Sequence, residues 1–419
     1  MMNGKLRKKQ RKYEGSHMIS NVKNPFGKFN GNEAEYVLRA LDTENPENKS
    51  FPWVQRFEEA FSKKVGATYA IAVNSGTSGL HAALYAAGVG AGDEVIQPAT
   101  TVVMDAYVTY HLGAIPVFVD IDPDTWNIDA KKIEDKITKK TKAIIVVSLY
   151  GLPVDIDPIM AIAKKHNLIV VDDSAETVMS LYKGRIAGTS AHMGVFSFEK
   201  SKHMTSGSEG GMIVTNDEEL AVRARKFAGI GYRGLTAAAG RTSLASSVYQ
   251  DPDYERFDTI GLNYRMNAVT AAVGLAQFER IDHLVERRKA VGKMFLEAID
   301  GCSWLKSQKV PSHSNHSYFT FGVLYLGAQH KNIPWKEFYS KYKESGGDGF
   351  YACWKNPYLE PSLRGKKMGN QVFELGLCPI AEDYQKKIMA FKTNYRDLGE
   401  ARHKVDILSS LIDNIGRKG

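Results

Sequence analysis

The segment Leu168-Ile169-Val170-Val171-Asp172-Asp173-Ser174-Ala175-Glu176 runs from an apolar stretch straight into adjacent acids. Further on, Val195-Phe196-Ser197-Phe198-Glu199-Lys200-Ser201-Lys202 ends a second apolar stretch in a hydroxyl and an amine. Both read as short buried strands that finish in polar chemistry. In open α/β sheets, ligands bind outside the carboxyl ends of the strands. The two stretches therefore bring an acid, a serine and a lysine to one sheet edge.

Working outward, the pattern predicts strands at Thr68–Val73, Glu94–Gln97, Ile115–Val119, Ala143–Leu149, Leu168–Asp172, Val195–Phe198 and Gly211–Val214. Between them, helices are predicted at Thr77–Gly88, Thr101–Leu112, Ala130–Ile137, Asp157–His166 and Asp217–Phe227. Near-continuous runs such as Ala143-Ile144-Ile145-Val146-Val147 suit strands buried on both faces, hence a mostly parallel sheet. The alternation gives an α/β doubly wound domain.

Gly234–Asp258 lacks periodicity and reads as a long loop, of the kind that is usually functional or disordered. Helices at Ala268–Ile281 and Leu284–Ile299 lead outward. After Gly301 come an aromatic strand (Tyr318–Leu326), a helix (Trp335–Ser345) and a terminal helix (Asn394–Ile415). This divides the chain into a large domain over residues 19–285 and a smaller α+β C-terminal domain over 286–419.

At 419 residues the chain has room for both. Its net charge is +8, but residues 1–18 account for five of those charges: Lys5, Arg7, Lys8, Lys9, Arg11 and Lys12 against Glu14. Gly15-Ser16-His17-Met18 resembles the remnant of an expression tag, so this basic head is set apart from the fold. The remainder is too nearly neutral to argue for nucleic acid, although a natural basic arm would be the feature to bind it. No apolar run approaches the roughly 20 residues that span a bilayer. Cys302, Cys353 and Cys378 are odd in number and far apart, which suits reduced thiols in a cytoplasmic protein and no metal site.

Asn74-Ser75-Gly76-Thr77-Ser78-Gly79 follows a strand and opens a helix. The free N–H groups and dipole of that junction attract an anion, and Gly76 permits close approach. A plain N-cap is the competing reading. An anion cradle, an acid at the end of a strand and a lysine form the kit that holds pyridoxal phosphate (PLP). The acid faces the ring nitrogen, the hydroxyls bind the phosphate, and the amine carries the cofactor covalently.

With these residues in view, the chain resembles the sugar aminotransferases of the DegT/StrS family, PLP enzymes of the aspartate-aminotransferase fold (fold type I). The resemblance runs from about Pro52 to the C-terminus. It rests on Ser75-Gly76-Thr77-Ser78, Gly90-Ala91-Gly92-Asp93-Glu94-Val95-Ile96, and Gly113-Ala114-Ile115-Pro116-Val117-Phe118-Val119-Asp120. It continues through Asp172 to Glu176, Phe196-Ser197-Phe198 with Lys202, Glu209-Gly210-Gly211, and Gly261-Leu262-Asn263-Tyr264-Arg265-Met266.

The resemblance implies a seven-stranded-type, mostly parallel sheet. It implies that Gly76, Thr77, Ser78 and Ser197 bind the PLP phosphate, that Asp173 faces the pyridine nitrogen, and that Glu176 lies at the ring face or phenolic oxygen. Lys202 would carry the cofactor. Asn263 would reach the phosphate of the neighbouring subunit, making the protein a homodimer with shared active sites. Arg233, in Gly231-Tyr232-Arg233-Gly234, is a further candidate for the substrate's diphosphate.

One extra residue lies between Lys202 and Glu209. Counting forward from Ser197 reaches Lys202; counting back from Glu209 reaches His203. A histidine in place of the lysine marks dehydratases in the family, since it moves protons but cannot bind the cofactor covalently. We assign the insertion to the Ser206-Gly207-Ser208 turn and the amine to Lys202. The implied reaction moves an amino group from glutamate to a keto group of a nucleotide-linked sugar. The alternatives are a glutamine-dependent cyclitol aminotransferase, a PLP-dependent sugar dehydratase, and a PLP-binding protein without turnover.

Overall fold

Short, valine-rich strands separated by amphipathic helices build the larger sheet in the computed structural model of the chain, which describes residues 28–238, 240 and 244–418. The basic head at 1–18 lies outside the described residues. The sheet has seven strands among the described residues: β1 (Tyr69–Val73), β2 (Glu94–Pro98), β3 (Ile115–Val119), β4 (Thr141–Val147), β5 (Ile169–Asp173), β6 (Met193–Ser197) and β7 (Gly211–Thr215). Their order is β1-β7-β6-β5-β4-β2-β3. Strands β2 to β6 pair parallel, and β7 runs antiparallel to both of its neighbours.

Helices α1 (Trp53–Val65), α2 (Gly76–Ala86), α3 (Met104–His111), α4 (Ile156–His166) and α5 (Glu218–Ala228) cover the sheet. Side chains alternate across a strand, so the packing partners fix which way each polar end points. Val171 and Val195 join Leu80 and Leu84 of α2 in one core. Val170 joins Ile144 and Ile159 in the core on the opposite face. Phe196 and Phe198 join Phe57 and Phe61 of α1, with Phe61 centred 5.1 Å from Phe196 and 5.8 Å from Phe198. Asp173 and Ser197, two residues beyond Val171 and Val195, therefore fall on the α2 face, and Asp172 on the other.

Helices α6 (Ala268–Phe278) and α7 (Ile281–Ile299) lead to a second sheet of β8 (Leu305–Ser307), β9 (Thr320–Tyr325), β10 (Tyr351–Ala352) and β11 (Ile388–Lys392), ordered β8-β9-β11-β10 and antiparallel throughout. Helices α8 (Trp335–Glu344) and α9 (Leu398–Ile415) pack on it through Phe338 and Leu408, against Phe295 of α7. Part of the C-terminal third returns to the large sheet. The Gln371 amide pairs with both the N–H and the carbonyl of Phe118, at 2.9 and 3.1 Å, and Phe373 packs 5.2 Å from the Phe118 ring. This covers the β3 edge, which would otherwise present unpaired backbone.

Two expectations need correction. Ala130–Ile137 is not a helix but two 3-10 turns, Ala130–Lys132 and Glu134–Lys136. Ile133 is its one wholly buried apolar side chain, too little to hold a helical face against the sheet. The segment Gly234–Asp258 is not all loop: it contains a short helix, Ser246–Gln250, while 239 and 241–243 lie outside the described residues. No helix among the described residues is long and apolar enough to cross a membrane.

Candidate active site

The loop from β1 into α2 forms the anion end of the site. Ser75 caps α2, its Oγ accepting the Ser78 N–H at 3.1 Å. The Ser78 hydroxyl is held within the same cap, lying 2.6 Å from Asn74 Oδ1 and 2.8 Å from Ser75 Oγ. Thr77 is exposed at the helix start. A Cβ added to Gly76 would lie 2.9 Å from Ser197 Cβ, and one added to Gly211 would lie 2.8 Å from the Ser75 carbonyl oxygen. Both glycines are thus required by close approach, and they bring the Ser197 hydroxyl against the N-terminus of α2. The result is a cradle of N–H groups and hydroxyls at the positive end of a helix.

The adjacent acids have separate environments. Asp172 accepts the hydroxyls of Ser148 and Ser174 and the Gly188 N–H, at 3.3, 3.0 and 3.0 Å. Burial nonetheless pushes it up to about 7. It ties the 188 turn to β5 and is fully engaged. Asp173 accepts the Ala175 N–H at 3.0 Å. Burial pushes it up to about 6, against the pull of that N–H and of the Lys202 ammonium.

Lys202 Nζ lies 3.3 Å from Glu176 Oε1 in a mostly buried pair and 4.4 Å from the centre of the Phe319 ring. The other Glu176 oxygen accepts the Tyr150 N–H at 2.8 Å. Tyr150 adopts a left-handed conformation, φ 60°, to present that N–H, a strain of the kind stored at functional sites. His203 turns away from this group. It is buried with Nε2 3.2 Å from the Ser317 carbonyl oxygen, and burial, with Arg288 nearby, depresses its basicity well below the ordinary range. Gly207, at φ 102°, takes the left-handed turn in the segment assigned to the extra residue.

Thus Gly76, Ser197, Asp173, Glu176 and Lys202 gather at one edge of the sheet. Arg233 does not join them: it is exposed and paired with Glu255 at 2.8 Å. Asn263 is exposed, its side chain accepting from Arg265 Nε at 3.1 Å. Its backbone runs beside Asn74, whose N–H bonds the Tyr264 carbonyl at 2.8 Å. Arg225 is buried in a two-bonded pair with Glu58, at 2.9 and 3.2 Å.

Sequence reasoning missed Tyr150, Phe319 and Arg288. Arg288 is buried in α7 and donates to the carbonyls of Ser201 and Lys202 at 2.7 and 2.9 Å, fixing the backbone that carries the lysine. Its run Glu286-Arg287-Arg288-Lys289 reads as a solvated helix face, so no local signal marks it. A cleft of about 800 Å³ opens beside this group, lined by Tyr150, Ser201, Arg288, Phe319, Trp354 and Arg396 among others.

These residues suit PLP: a cradle for a phosphate dianion, a buried carboxylate, and an amine poised beside another acid. A model of the "DegT/DnrJ/EryC1/StrS aminotransferase family" matches residues 29–388. The chain belongs to this family.

It is 43% identical over 267 residues to a GDP-perosamine synthase of Caulobacter vibrioides, covering 63% of this chain and 67% of that one. It is 38% identical over 301 residues to a GDP-perosamine synthase of Escherichia coli O157:H7, covering 72% and 77%. A crystal structure of an aminotransferase from Psychrobacter cryohalolentis superimposes with a TM-score of 0.81 at 30% identity, covering 91% of this chain and 97% of that one. The protein is a PLP-dependent sugar aminotransferase of fold type I.

Proposed function

We propose that the protein transfers an amino group from glutamate to a keto group of a nucleotide-linked sugar, with a GDP-linked sugar favoured by its relatives. The observation that carries this reading is the position of Lys202 Nζ, 3.3 Å from Glu176 and within the field of Asp173. A histidine dehydratase site would need His203 there, and its ring is bonded to Ser317 instead.

When bound, PLP supplies an electron sink for the charge left on carbon when an amino acid loses its α-proton. Asp173 holds the proton on the ring nitrogen, which keeps that sink electron-poor. Ser197, Thr77 and the first N–H groups of α2 hold the phosphate, so the ring cannot slide; Ser78 supports them from within the cap. Lys202 anchors the cofactor at rest. Freed by the donor as a neutral amine, its Nζ would take the α-proton and pass it to the cofactor, and in the second half-reaction it would carry a proton from the cofactor to the sugar carbon that receives the amine. Glu176, backed by the Tyr150 N–H, would receive the Lys202 ammonium once Nζ has taken a proton.

The active form is a cytoplasmic homodimer. Ile260 is 93% exposed, and Leu262 and Phe257 are also exposed, beside Asn263; a second copy covers this apolar segment and takes the Asn263 side chain to its phosphate cradle. Arg233 lies near the same surface, to pair with a diphosphate. The division near residue 285 separates the cradle from the smaller domain that closes the cleft. The test is keto-acid release from glutamate or glutamine against a panel of GDP-, UDP- and TDP-linked keto sugars and keto cyclitols. Turnover with glutamate and a GDP-linked sugar is expected; turnover confined to a cyclitol with glutamine would overturn the substrate assignment.

A further inference from the structure

Between the end of β2 and the first turn of α3 lies a buried polar group that the reaction above does not use. Asp105 is wholly buried. Thr101 donates its hydroxyl to Asp105 Oδ2 at 2.5 Å, while Oδ1 has no partner among the described residues. Both amide atoms of Gln97 and the hydroxyl of Thr100 are likewise buried without a partner among the described residues. Val95 packs with Val171 in the core beneath α2. Strand alternation therefore turns Gln97, two residues on, to the same face as Asp173.

We infer that Asp105 carries a proton and is a positioning residue for Asp173, leaving Asp173 the negative charge that a protonated ring nitrogen requires. This rests on the reading of Asp173 as the acid at that nitrogen. Burial drives both carboxyls toward the neutral form, and the Asp173 charge disfavours a charge on Asp105. The proton goes to the acid with the weaker support for its charge. Asp173 has a backbone N–H and the Lys202 ammonium. Asp105 has a single hydroxyl donor and no cation acting on it.

The remaining titratable groups do not alter this. His81 of the packed helix α2 is engaged with the Tyr264 hydroxyl at 2.9 Å, His111 of α3 lies toward His81, and Glu176 adds negative charge on the Asp173 side. A neutral Asp105 would have an O–H to donate, and Gln97 Oε1, at the end of β2, is buried without a donor among the described residues.

Infrared spectroscopy of the protein, with and without PLP, tests this directly. A protonated-carboxyl C=O stretching band is expected at neutral pH, persisting above the pH at which Asp172, pushed up to about 7, ionises. Above that pH the band should vanish in Asp105→Asn and survive in Asp172→Asn. PLP affinity of Asp105→Asn should stay within about threefold, since an amide, like a neutral acid, has shape and dipole but no charge. Its pH profile for PLP binding should match that of the native chain. Absence of the band in the native protein, its survival in Asp105→Asn, or an affinity loss of about tenfold with a shifted profile would overturn the inference. If Asp105→Asn does not fold, the native band's persistence above the Asp172 transition still decides. The band reports on Asp105 whatever Asp173 does; turnover of Asp173→Asn tests that role separately.

Discussion

The edge of the large sheet that carries Ser197, Asp173 and Lys202 differs in kind from the segment 257–265 that carries Asn263. At the edge, polar groups are buried and answered within the chain: Gly76 against Ser197, Asp173 under the Ala175 N–H, Glu176 between Tyr150 and Lys202. In the segment, Phe257, Ile260 and Leu262 face outward, and Asn263 has only its neighbour Arg265 as a side-chain partner among the described residues. On the proposed reading, one chain would surround the cofactor's ring and a second copy would cover its outer rim. Perturbing either region should break a different property.

At the edge, Asp173→Asn should reduce turnover by about 10²–10³-fold while PLP still binds, on the scale seen when one preorganised electrostatic partner is removed. Steady-state kinetics beside the visible spectrum would measure this. Activity near that of the native chain would move the role to Asp172 or to no acid at all.

In the exposed segment, Ile260→Asp should turn a dimer into a monomer in sedimentation experiments and weaken PLP binding, because a charge replaces buried apolar area. A sharper version mixes two inactive chains, Lys202→Ala and Asn263→Ala. Each mixed dimer has one site with both changes and one with neither, so activity should return after subunit exchange. Its failure to return, with exchange verified, would assign Asn263 to the cradle of its own chain, beside Asn74.

Asp173 also separates stability from activity. Its folded value is raised to about 6 from an ordinary 3.8. The group's favourable contribution is therefore present below 3.8 and lost as pH rises through about 6. Cofactor-free Asp173→Asn should thus resist urea better than the native chain at neutral pH, with the gap closing as pH falls toward 3.8. Equal midpoints at neutral pH would mean that the buried charge costs nothing. The smallest effect is expected at Arg233: its pair with Glu255 is exposed, so Arg233→Ala should change stability by less than about 1 kcal/mol. Only KM for the nucleotide sugar should respond.

The same contrast explains what could be read from the sequence. The faces of Asp173 and Ser197 follow from strand alternation next to runs of Val and Phe, a local rule. Lys202 was separable from His203 only through the family resemblance and a choice of where one residue was inserted. Arg288, Tyr150 and Asp105 depend on contacts between distant segments: Arg288 with the carbonyl of Lys202, Tyr150 with Glu176, Asp105 with the field of Asp173. Arg225 likewise depends on a distant partner, Glu58 on another helix. The apolar-poor stretch Ala130–Ile137 shows the converse: periodicity without enough buried side chains yields turns.

Reductive trapping tests the assignment of Lys202 most directly. Borohydride treatment of the PLP-loaded protein followed by peptide mapping should yield one labelled peptide carrying the cofactor on Lys202, with the label and transamination both lost in Lys202→Ala and both kept in Lys200→Ala. Label on Lys200, or no labelled lysine together with activity abolished by His203→Ala, would contradict the account.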